Sequence, residues 1–279
     1  MNTTLAPEVI HALTNISLHC VECSASYPAV EVGAPARYRC ECGGVLDVFD
    51  PALAEQNDLH MPGSVTSDED SLDNTSFSPG EGNFLPLAGA PLRQLFDERS
   101  ATPPIWPVSR RNLLLDRSGV WRYRELILPV PEEYIVSRPE GNTGLYPVGM
   151  ENCGTGRAGH RQIGLYAGLE QFFVKHEGEN PTGSFKDRGM TVGVTMAQLL
   201  GARAVACAST GNTSASLASY AAQVGMQSIV FLPAGNVSGG KLAQSLAYGA
   251  TTIQIEGDFD DAMRLVEQVC NELGIYLLN

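Results

Sequence analysis

Lys186 stands in "ENPTGSFKDRGM", directly after an aromatic ring and directly before an acid, a cation and a glycine. A lysine amine held out of water forms Schiff bases with aldehydes, so the setting of this residue decides whether it does chemistry. The preceding "QFFVKH" reads as a strand, since β-branched and aromatic side chains suit a pleated, half-buried surface. Gly178, Pro181 and Gly183 end that strand in a turn, Ser184 offers an N-cap, and Met190, Val192, Val194, Met196, Leu199 and Leu200 predict a helix. Lys186 therefore falls in the first helical turn, where the helix dipole disfavours a cation. A structural purpose is weak there and amine chemistry fits; the bland alternative is a solvated surface lysine.

Two more strand-to-helix junctions carry polar loops. In "ASTGNTSAS", Ser209, Thr210, Gly211, Asn212 and Thr213 present hydroxyls and backbone N–H groups at a helix start, an arrangement that grips a carboxylate or a phosphate. The alternative is an ordinary capped helix. In "LPAGNVSGGKL", Gly235, Gly240 and Lys241 reproduce GxxxxGK, but Leu242 stands where a nucleotide-binding loop needs a hydroxyl for magnesium. What remains is a glycine-rich turn with one lysine, suited to a phosphate that is not part of a nucleotide. "CGTGRAGH" satisfies GxGxxG at Gly154, Gly156 and Gly159, yet "LYPVGMEN" before it is broken by proline and glycine, which argues against a dinucleotide site.

The chain has seven cysteines, four of them clustered in "CVEC" and "CEC". Cys20 and Cys23 form a CxxC pair, and Cys40 and Cys42 a tighter CxC pair followed by Gly43 and Gly44. Short strands between two such knuckles are the plan of a zinc ribbon, in which the metal replaces a core too small to fold alone. Four free thiols in a small β-unit are the alternative. His19 beside Cys20 reads as incidental. An odd cysteine count argues against a disulfide framework.

Around these groups the elements fall into three stretches. Residues 1–50 hold the cysteine module. Residues 51–108, with the acidic run "SDEDSLD", read as a low-complexity linker or insertion. Residues 109–279 read as α/β, with Trp121 and Tyr123 as packing anchors. There "QFFVKH", "RAVACAS", "SIVFLP", "TTIQIEG" and "IYLLN" are expected strands, and helices are expected from near Ser184, Asn212, Gly240 and Phe259. Such alternation predicts βαβ units and a parallel twisted sheet with helices on both faces, whose ligands bind beyond the carboxyl ends of the strands. At 279 residues and 43% hydrophobic the chain is globular; 18 Lys+Arg against 31 Asp+Glu, a net charge of -13, disfavours nucleic acid and anionic membrane as partners. No apolar run spans a membrane and no secretory pattern opens the chain, so a cytoplasmic protein is expected.

"KHEGENPTGSFKDRGM", "ACASTGNTSASLASYAA", "GGKLAQSLAYGA" and "GDFDDAMRLV" closely resemble the threonine synthases, pyridoxal-phosphate enzymes of the tryptophan-synthase-β-like fold. The similarity runs from about Leu115 to Asn279, and the cysteine module resembles the ribbon that precedes the catalytic region in many of them. The resemblance implies that Lys186 carries pyridoxal phosphate as a Schiff base and, once released by substrate, moves protons. It implies that Asn212 bonds the cofactor's phenolic oxygen, that Ser209, Thr210, Gly211 and Thr213 grip substrate, that Lys241 lies near the substrate phosphate, and that Cys20, Cys23, Cys40 and Cys42 hold a structural zinc. The implied reaction converts O-phosphohomoserine and water to threonine and phosphate. A serine or threonine dehydratase, a diamino-acid lyase, and a non-catalytic ribbon scaffold remain alternatives, and a homodimer remains open. Two departures stand out. Gly144 occupies a position where the family usually has proline, and the family's glycine-rich loop for the cofactor phosphate has no counterpart before Asn279, so an incomplete catalytic fold is expected.

Overall fold

The structure is a computed structural model that describes residues 16–28, 40–44, 46–49, 90–101, 110–147, 166–169, 171–235 and 239–279. The acidic run, Cys153 and the GxGxxG sequence lie outside the described residues. The chain divides into two compact units, Met1–Trp106 with Tyr123–Pro131, and Pro107–Arg122 with Glu132–Asn279.

The first unit contains strands β1 (Ser17–Cys20), β2 (Ser26–Pro28) and β3 (Leu46–Phe49). They form an antiparallel sheet in the order β2-β1-β3, with Leu18 opposite both Tyr27 and Val48. Alternation along β1 buries Leu18 and Cys20 and leaves Ser17 and His19 half-buried, as period-2 geometry requires. Helix α1 (Ala90–Ala101) follows. It corrects the expectation that residues 51–108 are linker throughout: Leu92 and Phe96, four apart, form a buried face that the neighbouring polar sequence obscures. The Phe96 ring meets Tyr123 edge-on at 4.9 Å between centroids, and Arg99 forks onto Glu125 with N–O distances of 2.8 and 2.5 Å.

The second unit opens with helix α2 (Arg110–Arg117). The loop after it buries Trp121, whose indole N–H donates to Thr191 Oγ1 at 2.7 Å. Strands β4 (Leu145–Pro147) and β5 (Phe173–Lys175) pair antiparallel as a separate two-stranded sheet. This corrects the expectation that "QFFVKH" begins the parallel series: β5 is exposed or half-buried along its length, whereas an interior parallel strand is covered on both faces.

The remaining strands are β6 (Ala204–Ala208), β7 (Gln227–Pro233), β8 (Thr251–Ile255) and β9 (Tyr276–Leu277). They form one parallel sheet in the order β8-β7-β6-β9. Helices α3 (Lys186–Leu199), α4 (Asn212–Gln223), α5 (Gly239–Ala247) and α6 (Phe259–Leu273) alternate with the strands as expected. On one face Val205, Cys207, Val230 and Leu232 pack with Met190 and Val194 of α3 and Leu217, Tyr220 and Ala221 of α4. On the other, Ala206, Ala208 and Phe231 pack with Ala262, Val266 and Cys270 of α6. Successive residues of β6 thus serve opposite layers, which requires an unbroken apolar run. Helix α6 is closed at its start by a reciprocal Asp258–Asp261 capping box and at its end by Gly274 in the left-handed region, φ 66°. No helix among the described residues is long and apolar enough to cross a membrane.

Candidate active site

Helix α3 begins at Lys186 itself, capped by Phe185 rather than by Ser184. The Ser184 hydroxyl still contributes, accepting the Lys186 backbone N–H at 3.2 Å. The chain holds three lysines, Lys175, Lys186 and Lys241. Lys175 Nζ donates to the Thr143 carbonyl, and Lys241 Nζ to the Thr182 carbonyl at 3.0 Å and to Gln244 Oε1 at 3.3 Å. Lys186 differs from both. The residue is half-buried, and its amine makes no hydrogen bond or ion pair among the described residues and lies 5.5 Å from the centroid of the exposed Phe185 ring. Burial pushes the Cys207 thiol of β6 up to about 12, against the opposing pull of the Lys186 charge.

The residues around Lys186 are by contrast fully engaged. Asp187 is completely buried and accepts from Thr182 N–H at 2.7 Å, Thr182 Oγ1 at 2.6 Å and Ser216 Oγ at 2.5 Å. Arg188 forks onto Glu177 with both N–O distances 2.9 Å, and Thr143 Oγ1 and Asn180 Nδ2 also donate to that carboxylate. The Arg188 guanidinium holds Glu177 down at about 2. Asn180 Oδ1 accepts from Gly141 N–H at 2.8 Å, which ties the turn before Lys186 to the chain before β4. Gly183, at φ 79°, turns the chain between Thr182 and Ser184 in a conformation that favours glycine. Gly144 donates its N–H to Glu179 at 2.6 Å, a bond that a proline at this position could not make.

The second junction is anchored where Ser209 N–H donates to Phe231 O of β7 at 3.1 Å. Ser209 Oγ accepts from Gly211 N–H at 3.2 Å, Gly211 caps α4, and Ser214 Oγ donates back to Gly211 O at 2.7 Å. Asn212 is exposed at the first position of α4 and its side chain makes no hydrogen bond among the described residues; Thr210 is half-buried and Thr213 buried. The first-turn N–H groups have no intrahelical partner. All three expected junctions therefore meet: Lys241 reaches Thr182 in the turn before Lys186, and Ser216 of α4 reaches Asp187 just after it. Residues 236–238 of the third junction lie outside the described residues.

Sequence reasoning did not single out Asp187, Glu177, Asn180, Arg188 or Glu140. The first four lie inside the quoted lysine motif, but an ion pair between residues 177 and 188 matches no helical or strand period. Glu140 is fully buried and accepts from Ser118 Oγ at 2.6 Å, Ser137 Oγ at 3.0 Å, Arg138 N–H at 3.0 Å and Tyr220 OH at 2.9 Å. Burial and the Glu140 charge raise the Tyr220 phenol far above its ordinary range.

In the first unit the Sγ atoms of Cys20, Cys23, Cys40 and Cys42 all lie within 4.8 Å of one another. Cys20 and Cys42 are 3.5 Å apart and Cys23 and Cys40 3.4 Å, while Glu22 N–H and Gly44 N–H each point at a sulfur from 3.4 Å. A side chain at Gly44 would meet Cys20 Sγ at 2.7 Å, which explains the glycine after the second knuckle. His19 Nε2 lies 2.7 Å from Ser17 Oγ, apart from the sulfur cluster.

Residues 161–279 match the family model described as pyridoxal-phosphate dependent enzyme. Over 172 residues, 62% of the chain, the sequence is 51% identical to a threonine synthase of Methanocaldococcus jannaschii, and over the same length 48% identical to one of Methanosarcina acetivorans. The aligned part covers 40% and 39% of those proteins, so the match spans about two fifths of their length. Among solved structures, the apo Escherichia coli diaminopropionate ammonia lyase aligns at a TM-score of 0.42 and 17% identity, covering 52% of this chain and 41% of that one. Over the matched region the chain is related to threonine synthases.

Proposed function

We propose that this chain carries the lysine-bearing part of a pyridoxal-phosphate lyase that converts O-phosphohomoserine and water to threonine and phosphate. The observation that carries the reading is that Lys186 alone among the three lysines has an amine untied by any hydrogen bond among the described residues, while its neighbours Thr182, Asp187 and Arg188 are all paired. Such an amine is available to an aldehyde. Pyridoxal phosphate, when bound, supplies an electron sink for charge that develops beside the substrate's amino group. The chain's own part is to position and to move protons. Lys186 Nζ holds the cofactor, then takes the α proton and returns a proton to carbon. Asn212, with its uncommitted amide, bonds the cofactor's ring oxygen. Ser209, Thr210, Gly211 and Thr213 meet the substrate's anionic end at the start of α4, where orphan N–H groups and the dipole favour negative charge. Lys241 and the start of α5 face the phosphate that leaves the γ carbon, and water is added at the β carbon.

The test is to supply the purified chain with pyridoxal phosphate and O-phosphohomoserine and to assay both products. Phosphate and threonine should appear in equal amounts. Ammonia and a keto acid from serine, threonine or a diamino acid, without phosphate release, would instead establish the dehydratase or diamino-acid alternative.

We further infer that Cys20, Cys23, Cys40 and Cys42 hold one structural zinc. Zinc at about 2.3 Å from each sulfur sets S–S edges of about 3.8 Å. The observed pairs lie close to that, and the two N–H groups aimed at sulfur suit thiolate ligands. Metal analysis should return one zinc per chain, and Cys20→Ala should lose it; a wild-type chain that folds in chelator with no metal would overturn the assignment. Cys207 and Cys270, buried and unbridged, favour a reducing compartment, which supports a cytoplasmic setting.

A further inference from the structure

We propose that Asp187 is a positioning residue that fixes Lys186, the Ser209–Thr213 loop and Lys241 relative to one another; the idea rests on reading Lys186 as the cofactor lysine. Its carboxylate is fully buried and has no ion pair among the described residues. A buried acid without a counter-ion is unfavourable unless every lone pair is occupied, and an apolar residue would serve packing better. Here the bonds run to two elements, the turn before Lys186 and helix α4, and that turn also receives Lys241. Oδ2 takes Thr182 N–H at 2.7 Å and Oδ1 takes Thr182 Oγ1 at 2.6 Å, which leaves the Thr182 carbonyl to receive Lys241 Nζ at 3.0 Å. Oδ1 also takes Ser216 Oγ at 2.5 Å. Ser216 lies one helical turn beyond Asn212, so that bond sets the rotation of the first turn of α4. The acid itself follows Lys186 directly at the start of α3, where a negative charge offsets a cation that the dipole disfavours. One carboxylate thus connects the amine, the anion-gripping loop and the lysine near the leaving group.

Asp187→Asn tests this without changing side-chain shape. Asparagine keeps one oxygen for Thr182 but loses the charge and one acceptor. Amide exchange at Ala215, whose N–H donates to Gly211 O at 3.2 Å, and at 243–245, the first amides of α5 with an intrahelical acceptor, should rise about tenfold or more, the size expected for loss of a charge-assisted bond, while the slowest amides of β6 and β7 change less. With pyridoxal phosphate added, the cofactor should still bind, but the fraction fixed onto Lys186 by borohydride should fall several-fold. A purely structural role would lower retention and capture together and shift the slowest amides as much. Unchanged exchange at Ala215 and 243–245 in Asp187→Asn would overturn the proposal. If that variant fails to fold, Ser216→Ala serves: exchange should rise at Ala215 and not at 243–245, and an equal rise at both, or none, would also overturn it. A wild-type chain that forms no Schiff base defeats the cofactor reading, whereas the exchange result still decides whether Asp187 couples the three elements.

Discussion

Replacing Lys186 by alanine should abolish borohydride-fixed capture of pyridoxal phosphate, and phosphate release from O-phosphohomoserine should fall by at least about 10²–10⁴-fold, the range that positioned proton transfer contributes. The chain is unusually well suited to the measurement because it has only three lysines, and two of them already donate to backbone carbonyls. Peptide mapping of the reduced adduct should therefore locate the cofactor on Lys186 alone. Stability should move the other way. A cation in the first turn of α3 opposes the helix dipole and alanine is the better helix former, so Lys186→Ala should unfold at the same urea concentration as wild type or slightly higher. Loss of capture with retained stability separates chemistry from folding. An adduct that survives in Lys186→Ala, on Lys175 or Lys241, would defeat the assignment.

Glu140→Leu should cost about 3–5 kcal/mol of stability, the largest loss we expect from a residue outside the reacting groups. The carboxylate is buried and four donors converge on it, from Ser118, Ser137, the Arg138 backbone and Tyr220. Leucine fills much of the volume but strands those donors, and each one left without a partner costs desolvation energy. Glu140→Gln retains an acceptor and should lose roughly half as much, because only the charge-assisted part is removed. Urea unfolding of both variants decides the matter; a loss under about 1 kcal/mol for leucine would mean that water or rearranged hydroxyls replace the carboxylate.

The difference in legibility between the parallel sheet and the buried acids has a physical origin. The sheet is periodic: "AVACA" and "SIVFLP" must be apolar on both faces, and the turns between them carry glycine or polar caps, so strands and helix starts at Asn212 and Phe259 follow from local sequence. The Asn212 and Lys241 junctions stand out as candidates because they follow strands of the parallel sheet, where such folds place ligands, and Lys186 stands out as a cation in the first turn of a helix. Glu140 and Asp187 were not visible, since their burial depends on Tyr220 and Ser216, which lie 80 and 29 residues further along the chain. A single carboxylate in a loop looks the same in sequence whether it is solvated or surrounded by hydroxyls. Strand β5 was recognised but placed in the wrong sheet, because three residues carry no information about pairing partner. Helix α1 was hidden by the acidic and serine-rich sequence before it, although Leu92 and Phe96 show a helical spacing once isolated.

The order β8-β7-β6-β9 also dictates the order in which the molecule can be assembled. Strands β6, β7 and β8 can associate in sequence as each emerges, but one edge of β6 finds its partner only in β9. That edge is closed by Leu278 N–H donating to Ala206 O at 2.8 Å and by Asn279 Oδ1 accepting from Ala208 N–H at 2.9 Å, a contact that bridges 71 residues. Until those residues arrive, the hydrogen-bonding edge of β6, next to the Ser209 loop, is open to any other strand. Pairing across so long a separation is intrinsically slow, and an open apolar edge invites association with a second chain. Assembly of the ligand-binding junctions is thereby made to wait on the most distant contact in the sheet, and misassociation during synthesis competes with it at that edge.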